Sequence, residues 1–388
     1  MRSLKEKLED VLKDEQRDQS LLSSRTAEEF PVNSAVAFSL RNLGVHNLSH
    51  IQVKMLTGLL IQKKNMVVVD EAGGGKTFGA IIAILSRIDA NRMNPQALFV
   101  CATYEAALQV AAKMLALAVR SQINITTLMA NKNVQIGQKA DGHIIVGTPK
   151  EIVSFSIMRN FNIEDIECII IDDVDIVNTS DLFRSHVMGK LDRSALKMFI
   201  ASQIHTAAPY GNDMEIVPEY GTRNITETFL NCADIVQKIK AIVTAYTVLV
   251  KYKSQGIIFF RTRENLDLVA SVLTLKKCAV SMLHSKMTFE DRDLAIRKFG
   301  WGQSTLLLTT NVLARSVSFE AARLVINFDI PDNGLAHTFD GKSYHYRIGR
   351  SSRFGQRGLA ISFVSGDDQQ IFNNLLAQHP DLSEIYNV

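Results

Sequence analysis

The chain has 388 residues, and a single hydrophobic core seldom grows beyond about 250–300 residues, so the length predicts two domains. An apolar fraction of 46% and a charged fraction of 21% are those of a soluble globular protein. The net charge of +3 is compatible with a nucleic-acid partner but too small to indicate one by itself.

Several classes of protein are excluded by simple patterns. The four cysteines stand far apart without a CxxC pair, which predicts a reduced intracellular protein without a cysteine-built zinc site. The N-terminal segment MRSLKEKLEDVLKDEQRDQ is too charged for a signal peptide. The most apolar long window, 97–119, is interrupted by Glu105 and Lys113, so no membrane span is expected.

The first predicted element is an amphipathic helix over residues 2–22. Leu4, Leu8, Val11 and Leu12 recur on one face, and charged residues fill the rest of the surface. We expect this helix to dock on the remainder of the chain.

Short apolar runs then alternate with helical patterns, as in a parallel sheet covered by helices. The first series is NMVVVDEAGGG, QALFVCAT, GHIIVGTP, CIIIDDVD and LKMFIASQ. After a polar stretch the rhythm restarts with GIIFFRTR, CAVSMLHS, STLLLTTN, ARLVINFDIP and LAISFVSG. The pattern predicts two α/β lobes with a linker near 218–230.

The segment VVVDEAGGGKTFGAIIAIL predicts a strand, a glycine loop and a helix in that order. Gly73, Gly75, Lys76 and Thr77 fit the A-x-x-G-x-G-K-T form of the P-loop, in which backbone N–H groups surround phosphate oxygens. A chance glycine turn is the alternative, and the apolar strand and helix on either side argue against it. The loop residues expected to bind nucleotide are Asp70, Glu71, Ala72, Gly73, Gly74, Gly75, Lys76 and Thr77.

A strand that ends in acid completes the predicted phosphate site. CIIIDDVD runs from an apolar strand into Asp172, which would hold Mg²⁺ on the far side from the Thr77 hydroxyl. Phosphate binding alone does not choose among kinases, GTPases and helicases.

Segments along the chain resemble DEAD-box RNA helicases, in family order. TTNVLARSVSFEAARLVINFDIP followed by YHYRIGRSSRFGQRG resembles the family's ARGID and HRIGRTGRFG patterns. SHIQ, ending at Gln52, resembles the Q motif, which reads adenine; DDVD (172–175) stands where the family has DEAD. The other matching segments are ATYEAALQ, GTPK, ASQ, IIFFRTRENLD and LHSKMTFEDRD. The resemblance covers roughly residues 26–375.

The resemblance implies an α/β fold of two RecA-like lobes, each a mainly parallel sheet with helices on both faces. The implied domains are an N-terminal helical extension at 1–25, lobe one at 26–222 and lobe two at 229–388. The form T-Y-E-x-A-L-Q and the polar stretch DNGLAHTFDGKSYHY are similar to the mRNA-export branch of the family. In that branch an N-terminal helix can lie between the lobes and restrain ATP turnover.

The resemblance also implies ATP and Mg²⁺ as ligands and assigns roles. Arg350 and Arg353 match the arginines that reach the γ-phosphate when the lobes close, and Arg347 matches a supporting arginine. A solvated arginine-rich loop is the alternative. The implied catalytic set is Lys76, Asp172, Asp173, Arg350 and Arg353.

Sequence-independent RNA contacts are implied at the ends of several predicted strands. The matching positions are Thr103, Thr148, Pro149, Thr262, Arg292 and Thr310. The alternative is that threonines at these places only cap the following helices.

Departures from the family pattern concentrate on hydrolysis and coupling. Asp173 replaces the glutamate that orients the attacking water, and a misplacement of about 1 Å can cost on the order of 100-fold in rate. Ala201 and Gln203 replace two hydroxyl residues that would contact Asp175. The remaining departures are Asp70, Val45, Ala27, Ser316, Ser318 and Tyr346.

The favoured interpretation is an ATP-dependent RNA helicase or RNP remodeller with weakened hydrolysis, acting in mRNA export. It would be a monomer in cytoplasm and nucleus, at the cytoplasmic face of the nuclear pore, binding single-stranded or short duplex RNA and a protein activator. One alternative is a non-hydrolysing pseudo-helicase that clamps RNA or a protein partner with nucleotide bound. Another is a P-loop translocase on DNA, against which the TPK and RIGR segments argue.

Overall fold

The structure is a computed structural model. It describes residues 3–14, 21–70, 73–128, 142–158, 160–177, 179–201, 215–217, 224–310, 319, 321–334, 338–352, 356–378 and 385–387. The chain divides into two compact units. Lobe one is Ser20–Gly221, and lobe two is Thr222–Val388 together with Met1–Gln19.

Lobe one contains a seven-stranded sheet whose strands all pair in parallel. In chain order the strands are β1 (Met66–Val69), β2 (Ala97–Val100), β3 (Ile125–Thr127), β4 (Ile144–Gly147), β5 (Cys168–Ile171), β6 (Leu196–Ala201) and β7 (Glu215–Val217). Their order across the sheet is β3-β4-β2-β5-β6-β1-β7. Each parallel neighbour is reached by a crossover, so the connecting helices cover the faces of the sheet.

The helices of lobe one precede β1 or lie between its later strands. They are α2 (Ser34–Asn42), α3 (His50–Leu56), α4 (Lys76–Leu85), α5 (Tyr104–Ala118), α6 (Pro149–Ile157) and α7 (Asp181–Phe183). Alternate strand residues enter separate cores: Met66 and Val68 belong to one apolar cluster, and Val67 and Val69 belong to the other. The short apolar runs of the sequence are therefore strands buried on both faces.

Lobe two repeats this architecture with a second seven-stranded parallel sheet. Its strands are β8 (Ile225–Asn231), β9 (Gln255–Phe260), β10 (Val280–Leu283), β11 (Leu306–Thr310), β12 (Ala322–Asn327), β13 (Gly358–Val364) and β14 (Ile385–Asn387), in the spatial order β10-β11-β9-β12-β13-β8-β14. Its helices are α8 (Ile235–Lys251), α9 (Arg263–Leu275), α10 (Phe289–Gly300), α11 (Gly341–Ile348) and α12 (Gln369–Gln378). Two parallel sheets, each between layers of helices, confirm the predicted fold class.

The N-terminal helix differs from its prediction in length and is located within lobe two. It is α1 (Leu4–Lys13), with a Ser3–Glu6 capping box at its start. Leu8, Val11 and Leu12 are buried in the core of lobe two, where α1 packs mainly on α8. The predicted apolar face is confirmed, but a helix over all of 2–22 is wrong, since α1 ends at Lys13.

One further prediction from composition needs correction, and one polar stretch of lobe two contributes to its core. The expected linker near 218–230 overlaps β8, which pairs with β13 along seven residue positions from Ile225 to Asn231. The threonine and glutamate residues of ITETFLN are more typical of a loop than of a buried strand. The segment is a strand because it lies between two other strands of the sheet. The polar stretch at 332–346 also contributes buried aromatic side chains, Phe339 and Tyr344, to the lobe-two core.

None of the helices in the described part of the chain is long and apolar enough to cross a membrane.

Candidate functional site

The predicted site residues of lobe one follow strands whose carboxyl ends meet at one edge of the sheet. Asp70 follows β1, Asp172 follows β5, Thr103 follows β2 and Thr148 follows β4. In parallel sheets this edge is where ligands bind, because loops and helix N-termini converge there.

The glycine loop turns directly into α4. Gly73 has a φ of 107° and Gly75 a φ of 89°, conformations that residues with a Cβ adopt with strain. The Lys76 Nζ donates to the main-chain oxygen of Asp70 at 2.5 Å, so the lysine side chain folds back across the loop. Glu71 and Ala72 lie outside the described residues. The predicted order of strand, glycine turn and helix is therefore confirmed, and phosphate binding by the loop stays a prediction.

The segment that ends at Gln52 supports this loop. Ser49 caps α3, its Oγ donates to the Gly74 oxygen at 3.0 Å, and the Gln52 Nε2 donates to the Gly75 oxygen at 3.3 Å. Gln52 is buried, and its Oε1 accepts from the Ser49 N–H. In this structure the glutamine positions the phosphate loop, and its predicted contact with adenine stays a prediction.

Thr77 and Asp172 meet at the predicted metal position. The Thr77 Oγ1 donates to the Asp172 Oδ2 at 2.7 Å, which joins the first turn of α4 to the end of β5. Burial, and then the charge of Asp173, raise the pKa of Asp172 to about 7. The same two aspartates, after burial, raise the pKa of the Cys101 thiol. This strand end is a negative environment, which a cation would stabilise.

These groups fit Mg²⁺ held together with a phosphate. A hydroxyl and a carboxylate oxygen are ligands that Mg²⁺ takes, and it usually draws its other ligands from water and phosphate. Among the described residues no group of three histidine, cysteine, aspartate or glutamate side chains is arranged to hold a metal ion. The site therefore suits a nucleotide-bound magnesium ion.

The backbone turns sharply after Asp172. Asp173 has a φ of 53°, in the left-handed region that aspartate tolerates better than most residues, and its N–H donates to the Asp172 Oδ1 at 3.0 Å. Ile176 and Val177 both donate backbone N–H groups to the Asp173 oxygen. The conformation of residue 173 is thus fixed from both sides, and its carboxylate reaches one methylene less far than a glutamate would.

Ala201, at the end of β6, is fully buried in the apolar core beside Val69 and Ile171. It places a methyl group where the family has a hydroxyl. Gln203, Ser316, Ser318 and Arg353 lie outside the described residues.

In lobe two the two described arginines of RIGR occupy different positions. The Arg347 Nη1 donates to the Asn327 Oδ1 at 3.0 Å and to the Asp329 main-chain oxygen at 2.9 Å, which ties α11 to β12. Arg350 follows the end of α11 and is buried, and its N–H donates to the Arg347 oxygen. Arg347 is thus anchored within lobe two, and the supporting role implied by the resemblance stays a prediction.

The predicted RNA-contacting residues are all at strand ends or first helical turns. Thr103 caps α5 and Thr262 caps α9, each accepting a backbone N–H, at 3.2 Å and 3.3 Å. Thr148 precedes α6 at its N-cap without a side-chain capping bond, and Pro149 is the first helical residue. Arg292 lies in the first turns of α10, and Thr310 ends β11. Capping thus accounts for two of the threonines and leaves RNA contact untested.

Sequence reasoning missed a buried charge network at the carboxyl edge of lobe two. Lys238 of α8 lies 3.7 Å from Asp368 and 3.9 Å from Asp329, and its Nζ donates to the Phe328 oxygen at 3.0 Å. The Arg261 guanidinium pairs with Asp368 at 2.9 Å, and the backbone N–H of Arg261 donates to the Asp329 Oδ2 at 2.9 Å. The acids follow strands β12 and β13, and this was the signal available in the sequence.

The chain matches two family models that are found together in helicases. The DEAD/DEAH box helicase model matches residues 49–206, and the helicase conserved C-terminal domain model matches residues 237–355. The ATP-dependent RNA helicase DBP5 of Mycosarcoma maydis is 29% identical over 377 residues, covering 93% of this chain and 81% of that protein.

Solved structures agree on the fold. S. cerevisiae Dbp5 bound to RNA and ADP BeF3 superposes with a TM-score of 0.83 at 23% identity, over 94% of this chain and 96% of that one. A variant of the same protein bound to a gle1 variant and ip6 has a TM-score of 0.79 at 22% identity, over 94% and 95% of the two chains. The first matched domain contains the P-loop and DDVD segments, and the second contains the RIGR segment. This chain is therefore a divergent member of the DEAD-box RNA helicase family, homologous to the DBP5 helicases.

Proposed function

We propose that this protein is an ATP-dependent RNA helicase or RNP remodeller of the DBP5 type, with weakened hydrolysis, that acts in mRNA export. The observation that carries the proposal is the Thr77–Asp172 contact of 2.7 Å beside a glycine loop that Lys76 crosses. Nucleotide phosphates would lie on the loop N–H groups, and Mg²⁺ would take Thr77 and Asp172 as ligands. When bound, Mg²⁺ would neutralise charge that develops on the phosphates.

Asp173 is the proposed water-positioning residue, and its short side chain is the proposed cause of weak hydrolysis. Its carboxylate is shorter than that of glutamate, and the fixed turn at 172–177 does not let the backbone move forward to compensate. Ala201 removes a hydroxyl partner at the end of the neighbouring strand. Weak hydrolysis with retained nucleotide binding follows from both changes.

The related structures support the proposed partners. Dbp5 is described with RNA and with gle1, and the corresponding partners proposed here are RNA without sequence preference and a protein activator at the nuclear pore. Cytoplasm, nucleus and the cytoplasmic face of the pore are the proposed locations, with a monomer as the acting form. Arg350 and Arg353 are proposed to complete the ATP site when the lobes close.

The test is single-turnover ATP hydrolysis with RNA present, comparing wild type with Asp173→Glu. We expect RNA-stimulated phosphate release in the wild type and a rise of about tenfold in the variant, since the carboxylate returns toward the water. Asp165→Glu, which adds a methylene to an exposed acid elsewhere in lobe one, is the matched control and should change nothing. A variant no faster than wild type would show that Asp173 is not the limiting defect.

A second function is a pseudo-helicase that clamps RNA or a protein partner with nucleotide bound. Asp173 and Ala201 favour it, because both remove groups that serve hydrolysis while Lys76, Thr77 and Asp172 remain. RNA affinity that rises with a non-hydrolysable ATP analogue, without phosphate release from ATP, would support the clamp.

A further inference from the structure

Asp70 is expected among the nucleotide-binding loop residues, but the site as described so far gives no role to its buried side chain. It directly follows β1, and only 1% of it is exposed. The family form of the P-loop has an alanine here. Its Oδ2 lies 1.8 Å from the position that a Cβ on Gly74 would occupy, so the carboxylate fills the space beside residue 74.

Compared with the usual P-loop form, the larger and the smaller side chain at residues 70 and 74 are therefore reversed. The A-x-x-G-x-G-K-T form has a small residue first and accepts a side chain at the position of Gly74. This chain has the larger residue at 70 and no side chain at 74. Gly74 does not have a positive φ, so its backbone conformation does not require glycine. The space taken by Asp70 is the physical reason for a glycine there.

This reversal also places a charge within the phosphate loop. Gly74 lies between Gly73 and Gly75, and the oxygens of Gly74 and Gly75 are held by Ser49 and Gln52. A carboxylate against this loop opposes phosphate by Coulomb repulsion, which is strong where solvent is excluded. Lys76 and the acids at the end of β5 belong to the same site, so the carboxylate of Asp70 adds to negative charge that is already present there.

We propose that Asp70 is a specificity-determining residue of the phosphate site, which makes nucleotide binding depend more steeply on a divalent cation. The repulsion scales with the charge of the ligand, and Mg²⁺ cancels most of the negative charge of ADP. Asp70 therefore penalises free ADP more than Mg-ADP. The inference rests on the proposed nucleotide site.

The first experiment measures the affinity of a fluorescent ADP analogue with Mg²⁺ and with EDTA, in the full chain. Asp70→Asn keeps the volume and removes the charge. It should raise affinity in EDTA about tenfold and by a smaller factor with Mg²⁺. Glu164→Gln, which neutralises an exposed acid of lobe one near the amino end of β5, is the charge-matched control and should behave as wild type.

Three results are distinguishable. A smaller enhancement by Mg²⁺ in Asp70→Asn than in wild type supports the proposal. Equal enhancement in both overturns it and leaves the nucleotide site intact. Absence of binding in both proteins, even with Mg²⁺, overturns the proposed function and this inference with it.

The second experiment tests the reversed volumes without nucleotide, by thermal unfolding of Gly74→Ala with Asp70 present and with Asp70→Ala. The added methyl group should lower the Tm in the presence of Asp70 and be tolerated in the Asp70→Ala background, because the carboxylate that it meets is gone. Equal loss of Tm in both backgrounds would show that Asp70 and Gly74 do not share this space.

Discussion

The carboxyl edges of the two sheets are built from the same kinds of side chain and balance their charges differently. In lobe one, Asp172 is buried beside Asp173, with a pKa raised to about 7. In lobe two, buried Asp329 and Asp368 are matched by Lys238 and Arg261. At the first edge a buried acid has a raised pKa, which a bound cation would lower, whereas at the second edge the acids lie in ion pairs.

This difference in charge pairing suits the two sheets to different roles, although their architecture is the same. An edge that holds an acid with a raised pKa favours binding of a cation and of the phosphates that accompany it, and removing a single charge there should change stability little. An edge with paired charges serves the stability of the fold, because removing one member leaves another charge buried without compensation. The same type of mutation should therefore change ligand affinity in lobe one and stability in lobe two.

The largest expected effect is on the arginines that are proposed to reach the γ-phosphate. Arg350→Ala, and the same change at Arg353, should lower RNA-stimulated hydrolysis about 10³-fold, since an arginine at the γ-phosphate stabilises its transferring charge. RNA affinity with a non-hydrolysable ATP analogue should fall to the level seen with ADP. Arg297→Ala, on the exposed face of α10, is the control. Analogue-dependent RNA binding that survives in Arg350→Ala would remove this residue from the site.

Lys238→Ala tests whether the paired charges of the lobe-two edge serve the stability of the fold. It should lower the free energy of unfolding by about 3 kcal/mol, because Asp329 and Asp368 lose a buried partner. Lys240→Ala, two residues along the same helix and exposed, removes an equal charge and should cost little. Urea unfolding of both variants measures the difference. Similar losses in the free energy of unfolding would argue against a role of the paired charges in stability.

Lys76→Ala makes the matching change at the lobe-one edge. Nucleotide affinity should fall about 50-fold, because a charge-assisted contact with phosphate is lost, while the Tm stays near that of wild type. Lys190→Ala, an exposed lysine of the same lobe, controls for net charge. Unchanged affinity in a nucleotide titration would remove the P-loop assignment.

The smallest expected effect concerns the N-terminal helix. Arg323 donates to the main-chain oxygens of Val11, Leu12 and Asp14 at the C-terminal end of α1. Arg323→Ala should destabilise the docked helix by about 1 kcal/mol, the value of a cation at a helix C-terminus. Hydrogen exchange of the α1 amides should rise without a change in nucleotide affinity. A rise in affinity instead would favour the predicted restraint of ATP turnover.

Local sequence patterns were sufficient for much of the fold. The ten apolar runs are all strands, because buried strands of a parallel sheet need only continuous apolar residues. Strands β3, β7, β8 and β14 were missed, since each is short or polar and is defined by its neighbours in the sheet. For the site, a P-loop and an acid at a strand end predicted that Thr77 and Asp172 serve one Mg²⁺ ion, and the two side chains do meet although they are 95 positions apart.

Residue type and short spacing were enough to predict a glycine loop with Lys76, an acid at the end of a strand, and the arginines of RIGR. Contacts between distant elements were needed to place α1 in the lobe-two core, to show which groups Arg347 contacts, and to pair Lys238 and Arg261 with Asp368. They were also needed to show that Asp70 and Gly74 share one space. Such pairings join residues from separate elements, and distance along the chain carries no information about which side chains come within a few ångströms.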